Sequence, residues 1–155
     1  MHYHPMRRTD KELDNETTLK ILNDSLYGTL ALCDNEGAYA VPLNYVFFAG
    51  ELFFHSASSG HKIECIKHCQ NASFNIIGKT ELSADFTTKY QSVTAKGEIK
   101  FIDSVEEKKE ALLKLCQKYY DYDDITILNY IAKFIDKTTV FKMSCEFICG
   151  KGLPF

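Results

Sequence analysis

The chain has 155 residues, 45% hydrophobic and 25% charged, with eleven Phe and nine Tyr; this is the size of one domain, able to bury an aromatic core without a disulfide or a metal to hold it. A net charge of −3 argues against a general nucleic-acid binder, which needs clustered Lys and Arg, and the one tight basic run, Arg7-Arg8, has Asp10 and Glu12 beside it and reads as a solvated arm. The opening Met-His-Tyr-His-Pro lacks the charged start and apolar run of a leader, and no stretch approaches the roughly 18 uninterrupted apolar residues of a spanning helix, so a cytoplasmic protein away from membranes is expected, its six cysteines (Cys33, Cys65, Cys69, Cys116, Cys145, Cys149) held as thiols.

Asp14 is placed to cap a first helix over 15–25, with Glu16 at the positive end of its dipole and Leu19, Leu22 and Leu26 at helical spacing. A strand over 27–33 follows, and Asp34-Asn-Glu-Gly37 carries the turn chemistry that sends the chain back into a second strand over 38–48. Ala49-Gly50-Glu51 is a second tight turn before a short strand over 52–56, which completes a meander of sequence-adjacent strands. Ser58 or Ser59 caps a helix to about 69 with Ile63 and Ile66 inward, 72–78 is a buried strand, and the polar stretch 78–88 reads as a loop.

Over 89–103 the alternation of polar and apolar residues predicts a long strand with a kink at Gly97, the natural place for a barrel corner. Ser104 with Glu107 three residues later is a capping box, and Ala111, Leu112, Leu115 and Cys116 fall on one face of the helix it opens. A shorter apolar helix over 125–135 and a strand over 138–147 close the pattern. Five or six short strands decorated by helices predict a mainly β, antiparallel barrel rather than a parallel αβ sheet, and no strand leads into a glycine-rich phosphate loop of the dinucleotide type.

The segment Phe53-Phe-His-Ser-Ala-Ser-Ser-Gly-His-Lys-Ile63 runs from a strand through small hydroxyl residues and a glycine into a helix start. Free backbone N–H groups, the helix dipole and Lys62 make such a junction suited to a phosphate; an ordinary capped helix with a surface lysine is the simpler reading of the same residues. His61, Cys65 and Cys69 recur every four residues with His68 adjacent, and Cys145 and Cys149 repeat that spacing. Zinc pairs are usually spaced more tightly and buried thiols behave as small hydrophobes, so no metal is expected there.

Five features in order carry a family resemblance over nearly the whole chain: Met6-Arg-Arg-Thr-Asp10 before a short helix; Tyr27-Gly-Thr-Leu-Ala-Leu; Tyr39-Ala-Val-Pro-Leu-Asn-Tyr45; Phe54-His-Ser-Ala with Gly60-His-Lys62; and Tyr90-Gln-Ser-Val93 with Gly97 before an acidic-capped helix. The sequence resembles the pyridoxamine 5′-phosphate oxidase-like split-barrel flavoproteins, and within them it is most similar to the nitroimidazole-resistance (Nim-type) group. The resemblance implies a six-stranded antiparallel split β-barrel of Greek-key, FMN-binding type, and a homodimer with each flavin in a groove made by both subunits. Backbone groups near Val41, Pro42 and Leu43 would meet the flavin ring, Asn44 would offer it an amide, and His55, Ser56, Ala57, Ser58, Gly60, His61 and Lys62 would form the phosphate segment. Lys62 matches the lysine of the family's Arg-Lys pair and Ser56 its hydroxyl, while His61 stands where the oxidases carry arginine.

Gln91 falls where Nim-type proteins usually show arginine and Ser92 where the oxidases use a partner-subunit glutamine, so both are candidate flavin contacts; a solvent-facing strand pair is the alternative. His55 is the candidate catalytic residue, a proton donor beside the flavin, or else a hydrogen-bonding group for the phosphate or a turn. The oxidases' C-terminal arginine motif has no counterpart in Cys149-Gly-Lys-Gly-Leu-Pro-Phe155, so oxidation of vitamin B6 is not expected. The expected function is an FMN-dependent oxidoreductase that passes electrons to a small acceptor such as a nitroaromatic. A non-catalytic flavin- or haem-binding module and a metal-dependent thiol protein are the other readings, the last predicting stoichiometric zinc and no chromophore.

Overall fold

The computed structural model describes residues 4–153 and 155; Met1, His2 and Tyr3, which open the segment read above for leader character, and Pro154 lie outside the described residues. Helix α1 spans Asn15–Asp24, capped as expected by the Asp14 carboxylate, which accepts from the Thr17 N–H at 2.7 Å. Its buried residues are Thr18, Ile21 and Leu22; Leu26, read as part of the same stripe, lies past the helix end and is exposed. Strand β1 (Tyr27–Asp34) and strand β2 (Gly37–Asn44) form the expected hairpin, in register from Tyr27 opposite Asn44 to Asp34 opposite Gly37.

The meander stops there. Tyr45 turns into the core, its N–H donating to Tyr119 Oη at 2.9 Å and its own hydroxyl to the Leu22 carbonyl at 2.7 Å. That inward turn breaks the long second strand into β2 and a separate β3 (Val46–Phe48). Strand β4 (Glu51–Ser56) pairs with β3 and then, across the chain, with β7 (Thr139–Ser144). The expected loop at 78–88 is largely strand: β5 runs over Asn71–Leu82, with a register shift between Ile77 and Thr80, and turns into β6 (Thr88–Phe101). The last predicted strand, over 138–147, is β7, and an unpredicted strand, β8 (Phe147–Gly152), follows it. The sheet therefore has eight strands where six were expected, in the order β2-β1-β5-β6-β7-β4-β3 with β8 on β6. Among the described residues it does not close, since β2 pairs only with β1 and β3 only with β4.

Gly97 is the corner the sequence indicated. Up to Glu98 β6 pairs with β5, and with β8 as far as Lys96; from Ile99 it pairs with β7. Ser144 reaches back across this bend, its Oγ accepting from the Glu98 N–H at 3.1 Å and donating to the Glu98 carbonyl at 3.3 Å.

Helix α2 (His61–His68) follows β4, and α3 (Val105–Tyr119) and α4 (Asp124–Phe134) lie between β6 and β7. Ser104 Oγ accepts from the Glu107 N–H at 3.3 Å, the first half of the predicted capping box; the Glu107 carboxylate goes instead to Lys142, 3.0 Å away. None of these helices is long and apolar enough to cross a membrane. Two apolar clusters result. Phe54, Phe74, Phe141, Tyr45 and Leu22 fill the barrel, while Phe53, Val46 and Val140 meet Ala111, Leu115 and Ile131 of α3 and α4 on the outside.

Candidate active-site cleft

Side chains alternate along a strand, and β4 is buried on both faces: Leu52 and Phe54 enter the barrel cluster, Phe53 the cluster under α3 and α4. His55 shares the parity of Phe53 and so emerges on the helix side, at the rim of that cluster. There it lines a cleft of about 460 Å³ together with Asn44, Leu115, Tyr119, Tyr130 and Phe134. Tyr119 fixes the wall: its hydroxyl donates toward the Leu26 and Tyr45 carbonyls at 2.5 and 2.9 Å. Asn44 Nδ2 is 3.5 Å from the Leu26 carbonyl, which leaves its amide loosely held at the cleft mouth. A second hollow of about 510 Å³ continues past Cys116, Tyr120 and Tyr130 to Tyr122 and Ile127.

The helical wall is not legible in the sequence. Leu115, Tyr119 and Phe134 carry no signal that separates them from core positions, because a helical stripe that lines a cleft has the same spacing as one that fills a core.

His55 keeps much of its surface open to solvent, yet the surrounding protein removes enough water to push its pKa below the ordinary 6.5, and the Lys62 charge pushes it the same way. Lys62 is half-buried, and burial lowers its own pKa. A histidine with a depressed folded-state pKa binds fewer protons than the unfolded chain, so its contribution favours folding above about pH 6.5 and is progressively lost as the pH falls below that value. In a proton NMR titration the His55 ring is expected to titrate below pH 6.5, and Lys62→Met to move the midpoint upward; a midpoint unmoved by the substitution would dissociate the two side chains.

Neither Ser58 nor Ser59 caps α2. Gly60 holds the N-cap position at φ 118°, ψ 166°, a conformation open to glycine, and no side chain caps the helix, whereas α1, α3 and α4 are each capped by their own Asp or Ser. Gly60 O accepts from the Ile63 and Glu64 N–H groups. The Ser56 hydroxyl donates to the Ala57 carbonyl at 2.9 Å, and Ser58 lines a separate depression of about 240 Å³ with Lys67 and Lys108.

The His61 imidazole turns toward the β1–β2 turn. Its Nε2 is 2.7 Å from Asp34 Oδ2 and its ring lies 4.3 Å from that of Tyr39, so toward a phosphate His61 offers its main-chain N–H rather than its side chain. This hydrogen bond, with the Glu36 N–H on the other oxygen, draws the Asp34 pKa down to about 2.

Val41, Pro42 and Leu43 lie on the edge strand β2, whose outer side has no partner strand among the described residues; Val41 and Leu43 lean on the barrel core, and Pro42 is exposed, where a missing N–H costs least. Gln91 and Ser92 are elsewhere. Strands β1 and β5 stand between them and β2, and their side chains donate to the Leu153 and Lys151 carbonyls at 3.3 and 3.4 Å. Within one chain they do not join the cleft.

Residues 14–151 match the profile of the pyridoxamine 5′-phosphate oxidase family. The chain belongs to this family. No curated protein sequence matches it, but solved structures do. A candidate 5-nitroimidazole antibiotic resistance protein from Bacteroides thetaiotaomicron is 22% identical, with a TM-score of 0.75 over 97% of this chain and 95% of the other. The flavocytochrome Anf3 of Azotobacter vinelandii is 19% identical, with a TM-score of 0.77 over 98% and 73%. A FAD and haem binding protein from Mycobacterium smegmatis is 15% identical, with a TM-score of 0.73 over 94% of this chain and 74% of the other. At these identities the likeness is one of fold, and it agrees with the split-barrel architecture of the family.

Proposed function

We propose that this member of the family is an FMN-dependent oxidoreductase of the Nim type, reducing a small acceptor such as a nitroaromatic. The observation that supports the reading is a cleft lined by Asn44, at the end of edge strand β2, and by His55, at the end of β4, with Lys62 at the uncapped start of α2 near enough for its charge to act on His55. The pieces suit a phosphorylated flavin: Lys62 and the first N–H groups of α2 supply positive potential for the phosphate, the open edge of β2 offers backbone groups to a planar ring, and Asn44 an amide. When bound, the flavin supplies electron transfer between a reductant and the acceptor. The chain's own residues orient it, and His55 holds a proton at the cleft rim. Gln91 and Ser92 enter this reading through a second copy of the chain in a homodimer.

The first test is an absorbance titration of the purified protein with FMN and with riboflavin. Wild-type protein is expected to take up one FMN per chain, and Lys62→Ala to weaken FMN about tenfold or more while leaving riboflavin, which has no phosphate, little changed. No uptake of FMN by the wild-type protein refutes the reading. A non-catalytic haem- or flavin-binding module is the second reading, favoured by the apolar lining of the cleft with an imidazole at its rim. A haem spectrum that collapses in His55→Ala would select it.

A further inference from the structure

Away from the cleft, the β1–β2 turn and α2 bring together three groups of another kind. His61 and Cys65, four residues apart, occupy one face of the helix and both address Asp34. His61 Nε2 is 2.7 Å and Cys65 Sγ 3.4 Å from the same oxygen, Oδ2, and the three ligand atoms all lie within 4.8 Å of one another. We propose that Asp34, His61 and Cys65 form a binding site for one divalent transition-metal ion, zinc by its donor set, with water in the fourth position.

The geometry is close to what the ion requires. Metal–ligand bonds of about 2.0–2.3 Å place tetrahedral ligand atoms about 3.3–3.8 Å apart, so His61 Nε2 and Cys65 Sγ each need to draw back from Asp34 Oδ2 by less than an ångström to admit it. The donor types select the metal, since thiolate and imidazole suit zinc and its neighbours and not magnesium or calcium, which take oxygen.

The supporting shell is already in place. Asp34 Oδ1 is held by the Glu36 and Gly37 N–H groups at 2.8 and 3.2 Å, which aims the other oxygen at His61 and Cys65, and the His61 ring rests on Tyr39. Cys65 is fully buried, the Asp34 side chain is 18% exposed and that of His61 50%, so the site has a closed floor and one side open to water. On binding, the Cys65 proton leaves to solvent and a neutral His61 keeps its proton on Nδ1, so ligand bonds replace the two hydrogen bonds to Oδ2. The three donors are side-chain atoms, whereas the flavin reading uses only the main-chain N–H of His61, and the test does not involve flavin.

The probe is cobalt(II), added to chelator-treated, reduced protein and followed by absorbance. The wild-type protein is expected to develop a thiolate-to-cobalt charge-transfer band that saturates at one equivalent and disappears on adding zinc. Cys65→Ser should lose this band. Asp34→Asn, which keeps an oxygen for the turn N–H groups, and His61→Gln, at an exposed position, should retain the band but bind at least about tenfold more weakly. Circular dichroism identifies any variant that has unfolded, and the two milder variants carry the test if Cys65→Ser does. No band in the wild-type protein overturns the proposal. So does a band abolished by Cys33→Ser or Cys69→Ser but not by Cys65→Ser, since that would put the ion on Cys33 and Cys69, whose thiols hydrogen-bond to one another.

Discussion

Gly97→Ala is expected to destabilise the protein by about 3 kcal/mol or more, seen as a fall of about 6–12 °C in Tm. A Cβ at this position would lie 1.5 Å from the Ser144 carbonyl oxygen and 2.7 Å from its carbon, so it meets backbone and not a movable side chain. Relief requires β7 to retreat, and that retreat breaks the two hydrogen bonds between Ser144 and Glu98. It also disturbs β4, because Ser144 is opposite Glu51 in the β4–β7 ladder. A variant that melts within 1–2 °C of the wild type would mean that the two strands do not cross this closely in solution.

Phe54→Ala should cost about 3–5 kcal/mol in a urea melt, by loss of burial and by the cavity left behind. Phe54 is fully buried, its ring 5.0 Å from Phe74 and 5.2 Å from Phe141, and it ties three strands of the barrel together. Its neighbour His55 stands at the cleft rim because β4 is pinned on both faces. The substitution is therefore expected to broaden the His55 ring resonances as well as lower stability, while Phe54→Leu should recover part of both. A loss below about 1 kcal/mol would show that the barrel core closes over the gap.

The sequence exposes what local chemistry decides. Asp14 and Ser104 cap the helices assigned to them, the Asp34–Gly37 turn forms, and Gly97 is the bend. What it conceals is set by distant partners. Nothing near Tyr45 announces that its N–H will go to Tyr119, and that bond helps end β2. The strand β4 looks like the third arm of a meander until its partner β7 is known. The same holds in the site: His55, Lys62 and the β2 edge are visible as a motif, whereas the wall supplied by α3 and α4 is not. The imidazole of His61, next to Lys62 in sequence, is turned away by an aspartate 27 positions earlier.

The pairing of β4 with β7 also bears on how the protein comes into being. Glu51 and Ser144 stand opposite one another although far apart in sequence, and the Lys142–Glu51 contact likewise joins residues 91 positions apart. On a ribosome, residues 51–56 emerge long before 139–144, so the strand that carries His55 must wait with one edge unpaired while the hairpin and α1 have already formed. Early intermediates would present Leu52, Phe53 and Phe54 to solvent on a naked strand edge, which makes the emerging chain a client for chaperones and its refolding yield sensitive to concentration.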